Sequence, residues 1–234
     1  MTAAGSATRL LLVAKAPVAG LAKTRLAATI GDAAAADLAA AALLDTFDAC
    51  EQTAGPAARI VALTGDLAHA ARGSEITARL SRWQLVEQRG DSFAARLVHA
   101  HHDAAAIFGP TAPLVQIGMD TPQLTPDDLH RLADIVSGGP RSLEAALGPA
   151  TDGGWWGLAT RTAGYVDGLL DVAMSQDDTC VLTHAALETA GARVAVAHSL
   201  DDVDTLDDAC RVAALAPHSR FAGAFAKVSQ AVRR

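Results

Sequence analysis

A short apolar run followed by a cationic loop most constrains how this chain can fold. Leu10–Ala14 is apolar and of strand length, and the loop after it carries Lys15, Lys23 and Arg25 before an alanine-rich helical pattern begins. In α/β proteins, such a loop brings backbone N–H groups and cationic side chains together at the carboxyl edge of a sheet. The pattern predicts an α/β fold with an anion site, and phosphate is the first candidate for the anion.

This loop differs from the phosphate-binding loop of nucleoside triphosphatases, although Lys23-Thr24 resembles the end of that motif. The motif requires glycine at the positions of Pro17 and Ala22, so both of its glycines are missing here. A solvated basic turn is the alternative interpretation. Carboxylates farther along the chain favour a binding site, because they supply the opposite charge.

The composition argues against several classes of protein. The chain has 234 residues and a formal net charge of -7, so we expect no general attraction to nucleic acid or to anionic membranes. No stretch approaches the ~20 apolar residues of a membrane-spanning helix. The three cysteines lack the paired spacing of a zinc or redox site. We predict one cytoplasmic domain over residues 1–234, and the residues indicate no oligomeric state.

Strand and helix patterns alternate along the chain, which predicts a layered α/β fold with a mostly parallel sheet. The predicted strands are Leu10–Ala14, Arg59–Thr64, Trp83–Glu87, Pro113–Gly118, Ser142–Leu147, Trp155–Ala159 and Arg193–His198. The predicted helices are Ala33–Cys50, Leu67–Arg72, Asp91–Phe108, Pro126–Val136, Ala163–Val172, Thr179–Ala190 and one that starts near Thr205. The tail after Pro217 is either an outer helix or frayed.

Two carboxylates are candidates for a metal site. Asp120 directly follows a predicted strand, so we expect it at the same sheet edge as the cationic loop. A turn-forming role is the alternative, but Thr125 already supplies the cap of the next helix. Asp204 lies between the last strand and the last predicted helix, where later acids of the same run are explained as helix caps. Carboxylates that face a phosphate loop are the hard ligands that Mg²⁺ or Mn²⁺ takes.

A glycine-rich turn and a glutamine complete the candidate residues. Asp152, Gly153, Gly154 and Trp155 form a turn whose glycines let a ligand approach bare backbone, and whose tryptophan can stack on a ring. A hairpin turn with core tryptophans is the alternative. Gln88 precedes a predicted helix and is a candidate contact to a base or phosphate, although a helix start explains it nearly as well.

Four motifs occur in a fixed order, namely Lys15-x-Pro17-x-x-Gly20-x-x-Lys23-Thr24-Arg25-Leu26, Asp120-x-Pro122, Gly148-Pro149-Ala150-x-Asp152-Gly153-Gly154 and Asp202-Val203-Asp204-Thr205. In order and spacing they resemble the DUF2064 family of GT-A-fold, glycosyltransferase-like proteins, which is similar to the phospholactate guanylyltransferases. The resemblance spans about residues 10–208. It implies the GT-A fold of nucleotide-diphosphosugar transferases: a three-layer α/β/α sandwich with a mixed, mostly parallel sheet.

The resemblance also implies roles for individual residues. The first loop, with Pro17, Gly20 and Thr24, would hold the phosphates of a nucleotide. Asp120 and Asp204 would hold the metal ion, Mg²⁺ or Mn²⁺. The partners implied are a nucleotide and a small-molecule acceptor.

Three functions follow as hypotheses. The first is a Mg²⁺-dependent nucleotidyltransferase, in which a small phosphorylated molecule attacks the α-phosphate of a nucleoside triphosphate. Lys23 and Arg25 would stabilise charge on the triphosphate, and Lys15 would assist at the α-phosphate. The second is a glycosyltransferase with a nucleotide-sugar donor, which is weakened because Met119-Asp120-Thr121 stands where many such enzymes carry Asp-x-Asp. The third is a non-catalytic nucleotide-binding module.

Overall fold

The computed structural model describes residues 8–137, 139 and 141–232. Within these residues, seven strands form one sheet with the order β3-β2-β1-β4-β6-β5-β7. The strands are β1 (Leu10–Lys15), β2 (Arg59–Thr64), β3 (Gln84–Glu87), β4 (Leu114–Ile117), β5 (Ala145–Pro149), β6 (Trp155–Thr160) and β7 (Val194–Val196). Among them only β6 pairs antiparallel with its neighbours. The prediction of a mixed, mostly parallel sheet is confirmed.

Helices connect most of the strands. The α-helices of the described residues are α1 (Thr24–Ile30), α2 (Asp32–Thr53), α3 (Gly73–Leu80), α4 (Phe93–Phe108), α5 (Pro126–Val136), α6 (Thr179–Thr189), α7 (Leu206–Leu215) and α8 (Arg220–Val232). Short 3₁₀ helices cover Pro56–Ala58, Leu67–His69 and Ala163–Asp171. Among the described residues, no helix has both the length and the apolarity needed to cross a lipid bilayer.

One predicted helix is wrong. The helix expected over Leu67–Arg72 is a single 3₁₀ turn, and α3 begins only at Gly73. Arg72 has φ +51°, in the left-handed region that a right-handed helix cannot pass through. Its guanidinium is bonded to Asp37 of α2 at 2.7 Å and 2.9 Å, which holds the break in place.

Alternating residues of β1 face the two sides of the sheet, as the period of a strand requires. Leu10 and Leu12 belong to an apolar cluster with Phe47 of α2 and with leucines of α5. Leu11 belongs to a second cluster with Leu97 of α4. Helices therefore cover both faces of the sheet, and the predicted three-layer α/β/α sandwich is confirmed.

The strand order reverses between β1 and β4. From β1 the chain continues to β2 on one side, whereas β4 joins β1 on the other side. Loops that leave the carboxyl ends of such strands diverge and open a crevice, which is where α/β sheets bind ligands. An isolated bridge between Ala150 and Leu200 extends the β5–β7 pairing and brings residues 201–204 to the same edge. The fold thus collects four segments at one edge of the sheet.

The C-terminal helices pack outside α2. Phe221 of α8 is fully buried in a cluster with α1, α2 and α7. Asp45 of α2 accepts hydrogen bonds from the backbone N–H groups of Arg220 at 2.9 Å and Phe221 at 2.8 Å. These bonds satisfy donors at the start of α8 that would otherwise lack partners. The tail is therefore an ordered outer helix, the first of the two predicted alternatives.

Candidate functional site

The cationic loop directs Lys23 into a cluster of carboxylates. Its Nζ atom lies 3.0 Å from Asp120 Oδ2 and 3.0 Å from Asp204 Oδ1. Asp202 Oδ1 is 3.7 Å away, and the lysine side chain is only 8% exposed. Burial alone would lower the pKa of Lys23, but the charges of the three carboxylates outweigh it and raise that pKa. The amine is therefore a fixed positive charge at the carboxyl ends of β1 and β4.

Lys23 has φ +49°, a left-handed conformation that costs a residue with a side chain about 1–2 kcal/mol. This conformation, at the residue just before α1, aims the side chain away from the helix and toward the carboxylates. A strained, non-glycine residue that is held by its contacts is frequent at functional sites.

Asp152, Asp202 and Asp204 can form a metal site. One carboxylate oxygen from each lies within 4.8 Å of the others. Burial raises the pKa of Asp202 to about 7 against the charge of Lys23, and the charges of Asp120 and Asp204 act in the same direction as burial. Four carboxylates thus share this edge with three cations, Lys15, Lys23 and Arg25. The close grouping of hard oxygen donors fits a divalent cation such as Mg²⁺.

Two cavities meet at these carboxylates. One, of about 310 Å³, is lined by the cationic loop, including Lys15, Lys23, Thr24 and Arg25. The other, of about 430 Å³, lies on the α4 side and is lined by the β5–β6 turn, the start of α4 and the loop before α6. The residues that line both cavities are Arg25, Asp120, Ser175 and Asp204. The arrangement gives two ligand-sized spaces with a charged wall between them.

The cationic side chains of the loop differ in how strongly other residues hold them. Arg25 is 75% exposed and reaches Asp204 Oδ2 at 3.5 Å. Lys15 is exposed, and its Nζ donates to the carbonyl of Leu21 at 2.9 Å. Thr24 is exposed at the start of α1. These three side chains can turn to a phosphate at little cost, whereas Lys23 must first leave its carboxylates.

Three residues predicted to bind a nucleotide are not among those that line either cavity. Pro17 is buried, and its carbonyl accepts from Ala71 N–H at 2.9 Å. Gly20 is exposed with φ +80° and shapes the loop. Gln88 donates through Nε2 to the carbonyls of Ala14 at 2.7 Å and Ala62 at 2.8 Å. In the structure, these residues stabilise the loop and the ends of β1 and β2.

The glycine-rich turn lies on the larger cavity. Asp152, Gly154 and Trp155 line it, and Asp152 Oδ1 accepts from Gly154 N–H at 2.9 Å, as in an Asx turn. Trp155 donates through Nε1 to Thr183 Oγ1 at 3.2 Å, which orients its ring along the cavity wall. Gly153 is not among the lining residues, and its carbonyl accepts from Cys180 N–H at 2.8 Å, which joins the turn to the first turn of α6.

Gly153→Ala should destabilise the protein and disturb this cavity. Gly153 has φ +90°, and a Cβ there would lie 2.0 Å from the carbonyl oxygen of Asp177. Strain and overpacking together predict a loss of about 3 kcal/mol in the free energy of unfolding, measured by urea denaturation. Gly55→Ala is the matched control, because nothing lies within 4 Å of its added Cβ. Equal stability of the two variants would contradict the close approach.

Several lining residues are missing from the sequence-based prediction. Asp202 stands in the fourth motif but received no role there, and Phe93, Met174 and Ser175 lie on segments without a motif. Gln116 is a single polar residue inside an apolar strand pattern, and it lines the larger cavity. A polar residue among buried strand residues is the one signal that could have identified it.

Solved structures of transferases share this fold. A protein from Desulfovibrio desulfuricans G20, assigned by its name to the nucleotide-diphospho-sugar transferases, aligns with a TM-score of 0.80 at 21% identity, over 97% of each chain. CMP:2-keto-3-deoxy-manno-octonic acid synthetase in complex with CTP aligns with a TM-score of 0.56 at 14% identity, over 91% of this chain and 99% of that chain. The fold is therefore GT-A-like, as the resemblance implied.

The family follows from the sequence itself. The model of DUF2064, described as an uncharacterized protein conserved in bacteria, matches residues 46–176. Because this match covers more than half of the chain, the protein belongs to the DUF2064 family, and the predicted resemblance is confirmed. No curated protein matches the sequence.

Proposed function

We propose that this protein is a Mg²⁺-dependent nucleotidyltransferase that transfers a nucleoside monophosphate from a nucleoside triphosphate to a small phosphorylated acceptor. The observation that carries the proposal is the wall of Arg25, Asp120 and Asp204 shared by two cavities. A transfer reaction needs a donor site and an acceptor site that meet at the reacting atoms. The smaller cavity has the cations of a phosphate site, and the larger one has the aromatic and polar lining of an acceptor site.

In the reaction, an oxygen of the acceptor phosphate forms a bond to the α-phosphorus of the triphosphate. The bond from that phosphorus to the bridging oxygen breaks, and pyrophosphate leaves. Arg25 and Lys15 would neutralise the phosphates, and their exposed side chains can reorient to do so. Little covalent work is required of the protein, since positioning and charge stabilisation dominate this chemistry.

Asp152, Asp202 and Asp204 are the residues that would hold the metal ion, and Asp120 lies beside them. When bound, Mg²⁺ would neutralise phosphate charge and orient the leaving group. This set shares Asp204 with the pair predicted from the sequence, Asp120 and Asp204, and the oxygens of Asp152 and Asp202 are those that lie within 4.8 Å of it and of each other. Lys23 then has a different role from the predicted one: it offsets the repulsion among the carboxylates and keeps them gathered.

A screen for pyrophosphate release tests this proposal. Each of the four nucleoside triphosphates is incubated with phosphorylated acids and sugar 1-phosphates, with Mg²⁺ or Mn²⁺. We expect pyrophosphate release that requires both an acceptor and the metal ion. Release of inorganic phosphate alone, or no release with any combination, would contradict nucleotidyl transfer.

Glycosyl transfer is the second candidate, because the structure that aligns with a TM-score of 0.80 is assigned by name to the nucleotide-diphospho-sugar transferases. The same two cavities would then hold a nucleotide sugar and its acceptor. Turnover of UDP- or GDP-sugars with release of the nucleoside diphosphate, and no turnover of triphosphates, would select this candidate over the first.

A further inference from the structure

Gln116 lies on the larger cavity and has an unsatisfied amide. It lies on β4 and is 2% exposed. Its Oε1 is buried, and no group in the described part of the chain provides a hydrogen bond to it. Burying an amide oxygen without a partner is costly, and such groups in native proteins call for an explanation. A ligand in the cavity is one explanation.

The residues that pair with Gln116 across the sheet are apolar. On the same side of the sheet lie Leu11, which pairs with it from β1, and Leu158, which pairs with it from β6. The His101 ring of α4 is a neighbour close enough for Gln116 to act on its pKa, although both ring nitrogens are buried and neither makes a hydrogen bond within the described residues. Burial lowers the pKa of His101 to about 4, so that ring is neutral near pH 7. Burying a charged ligand group against these apolar side chains would be costly.

The charged lining of the same cavity lies at the other end. Asp120, Asp202 and Asp204 follow the strand ends, whereas Gln116 lies two residues before Gly118, about 7 Å inside the edge for an extended strand. A ligand that contacts both ends therefore needs two different chemistries. One end would be held by Arg25 and by a metal ion on the carboxylates, and the other would meet a neutral amide among apolar side chains.

We infer that the acceptor is a phosphate ester with an apolar body and an uncharged hydroxyl at the end remote from the phosphate, and that Gln116 binds this hydroxyl. An amide suits a hydroxyl, since each can both donate and accept a hydrogen bond. The inference rests on the proposed function, because the phosphate end is placed by the metal site. It excludes acceptors that carry a carboxylate or ammonium group at the remote end.

A series of alkyl phosphates can measure the distance between the two ends. The ligands are ω-hydroxyalkyl phosphates with chains of about three to six carbons, each paired with the alkyl phosphate that lacks the hydroxyl. Their affinities are measured by calorimetry in the presence of Mg²⁺. At one chain length we expect the hydroxyl to raise affinity about tenfold, as one buried hydrogen bond predicts. No preference for the hydroxyl at any length would overturn the inference.

Two variants link the preference to Gln116. Gln116→Met should abolish the hydroxyl preference while the alkyl phosphates still bind. Its midpoint of urea unfolding should be unchanged or higher, because an unsatisfied amide is replaced by an apolar chain of similar size. Gln116→Asn withdraws the amide by one methylene, so the preferred ligand should be one carbon longer. A hydroxyl preference that persists unchanged in both variants would overturn the assignment.

A matched control separates binding from stability. Thr160 of β6 is 1% exposed, its Oγ1 also has no partner in the described residues, and it is not among the residues lining the cavity. Thr160→Val should leave the hydroxyl preference intact. Protection of the protein by Mg²⁺ and nucleoside triphosphates is measured in parallel. Nucleotide binding without a hydroxyl preference would overturn this inference alone, whereas loss of both nucleotide and phosphate binding would overturn the proposed function as well.

Discussion

Lys23→Met is expected to lower the free energy of unfolding by about 3 kcal/mol in the absence of divalent metal. The lysine amine is the buried cation among Asp120, Asp202 and Asp204, at distances of 3.0 to 3.7 Å. Its removal leaves three carboxylates close together without compensation. The partial exposure of the carboxylates, 22–36%, keeps the loss at the lower end of the range for broken buried ion pairs.

Millimolar Mg²⁺ should restore much of this stability. A metal ion bound to the same carboxylates replaces the missing positive charge, and ligand binding to the folded state alone stabilises it. The measurement is urea denaturation of the wild type and Lys23→Met, each with EDTA and with Mg²⁺. The stabilisation by Mg²⁺ should be larger for the variant. Equal stabilisation of both proteins would show that the lysine and the metal do not share one set of carboxylates.

Two controls separate charge from backbone strain. Lys15→Met removes an exposed cation whose amine bonds only a backbone carbonyl among the described residues, so its stability should change little. Lys23→Gly removes the same charge as Lys23→Met but relaxes the left-handed backbone at φ +49°. It should be about 1 kcal/mol more stable than Lys23→Met and equally responsive to Mg²⁺.

The parts of the fold that could be predicted are those whose signals are local. The strand Arg59–Thr64 was predicted with the bounds it has, because turn residues follow an apolar run. Helix α5 shows its start in the sequence, where Thr125 and Asp128 form a capping box. The start of α3 could not be predicted, because the break at Arg72 is held by Asp37, which is 35 residues away along the chain.

In the candidate site, too, features with local sequence signals could be predicted and features set by distant contacts could not. Because Asp120 and Asp204 each follow a predicted strand, the sequence predicts that they share a sheet edge with the cationic loop. In the structure both residues and the loop lie at that edge. The sequence does not show that Lys23 turns to Asp204, 181 residues away, instead of to open solvent. Nor does it show that Gln88 is occupied by the backbone of two strands, because both carbonyls come from distant segments. Their roles in binding stay predictions.

Asp204→Asn is expected to lower the rate of nucleotidyl transfer by about 10²–10³-fold and to weaken Mn²⁺ binding. Asp204 belongs to the carboxylate group that can hold a metal and lines both cavities. The free energy of unfolding without metal should change by less than about 0.5 kcal/mol. Lost attraction to Lys23 and Arg25 is offset by relief of repulsion from Asp120 and Asp202.

This variant is informative because a large loss of activity is expected with almost unchanged stability. Transfer is measured by pyrophosphate release, Mn²⁺ binding by the electron paramagnetic resonance of the free ion, and stability by urea denaturation with EDTA. Asp207→Asn is the matched control, since Asp207 lies in the first turn of α7, three residues away, and does not line either cavity. A rate for Asp204→Asn equal to that of the control would remove Asp204 from the reaction. A large loss of stability would instead show that Asp204 holds the fold, because a carboxylate kept for a metal ion contributes little to folding when the metal is absent.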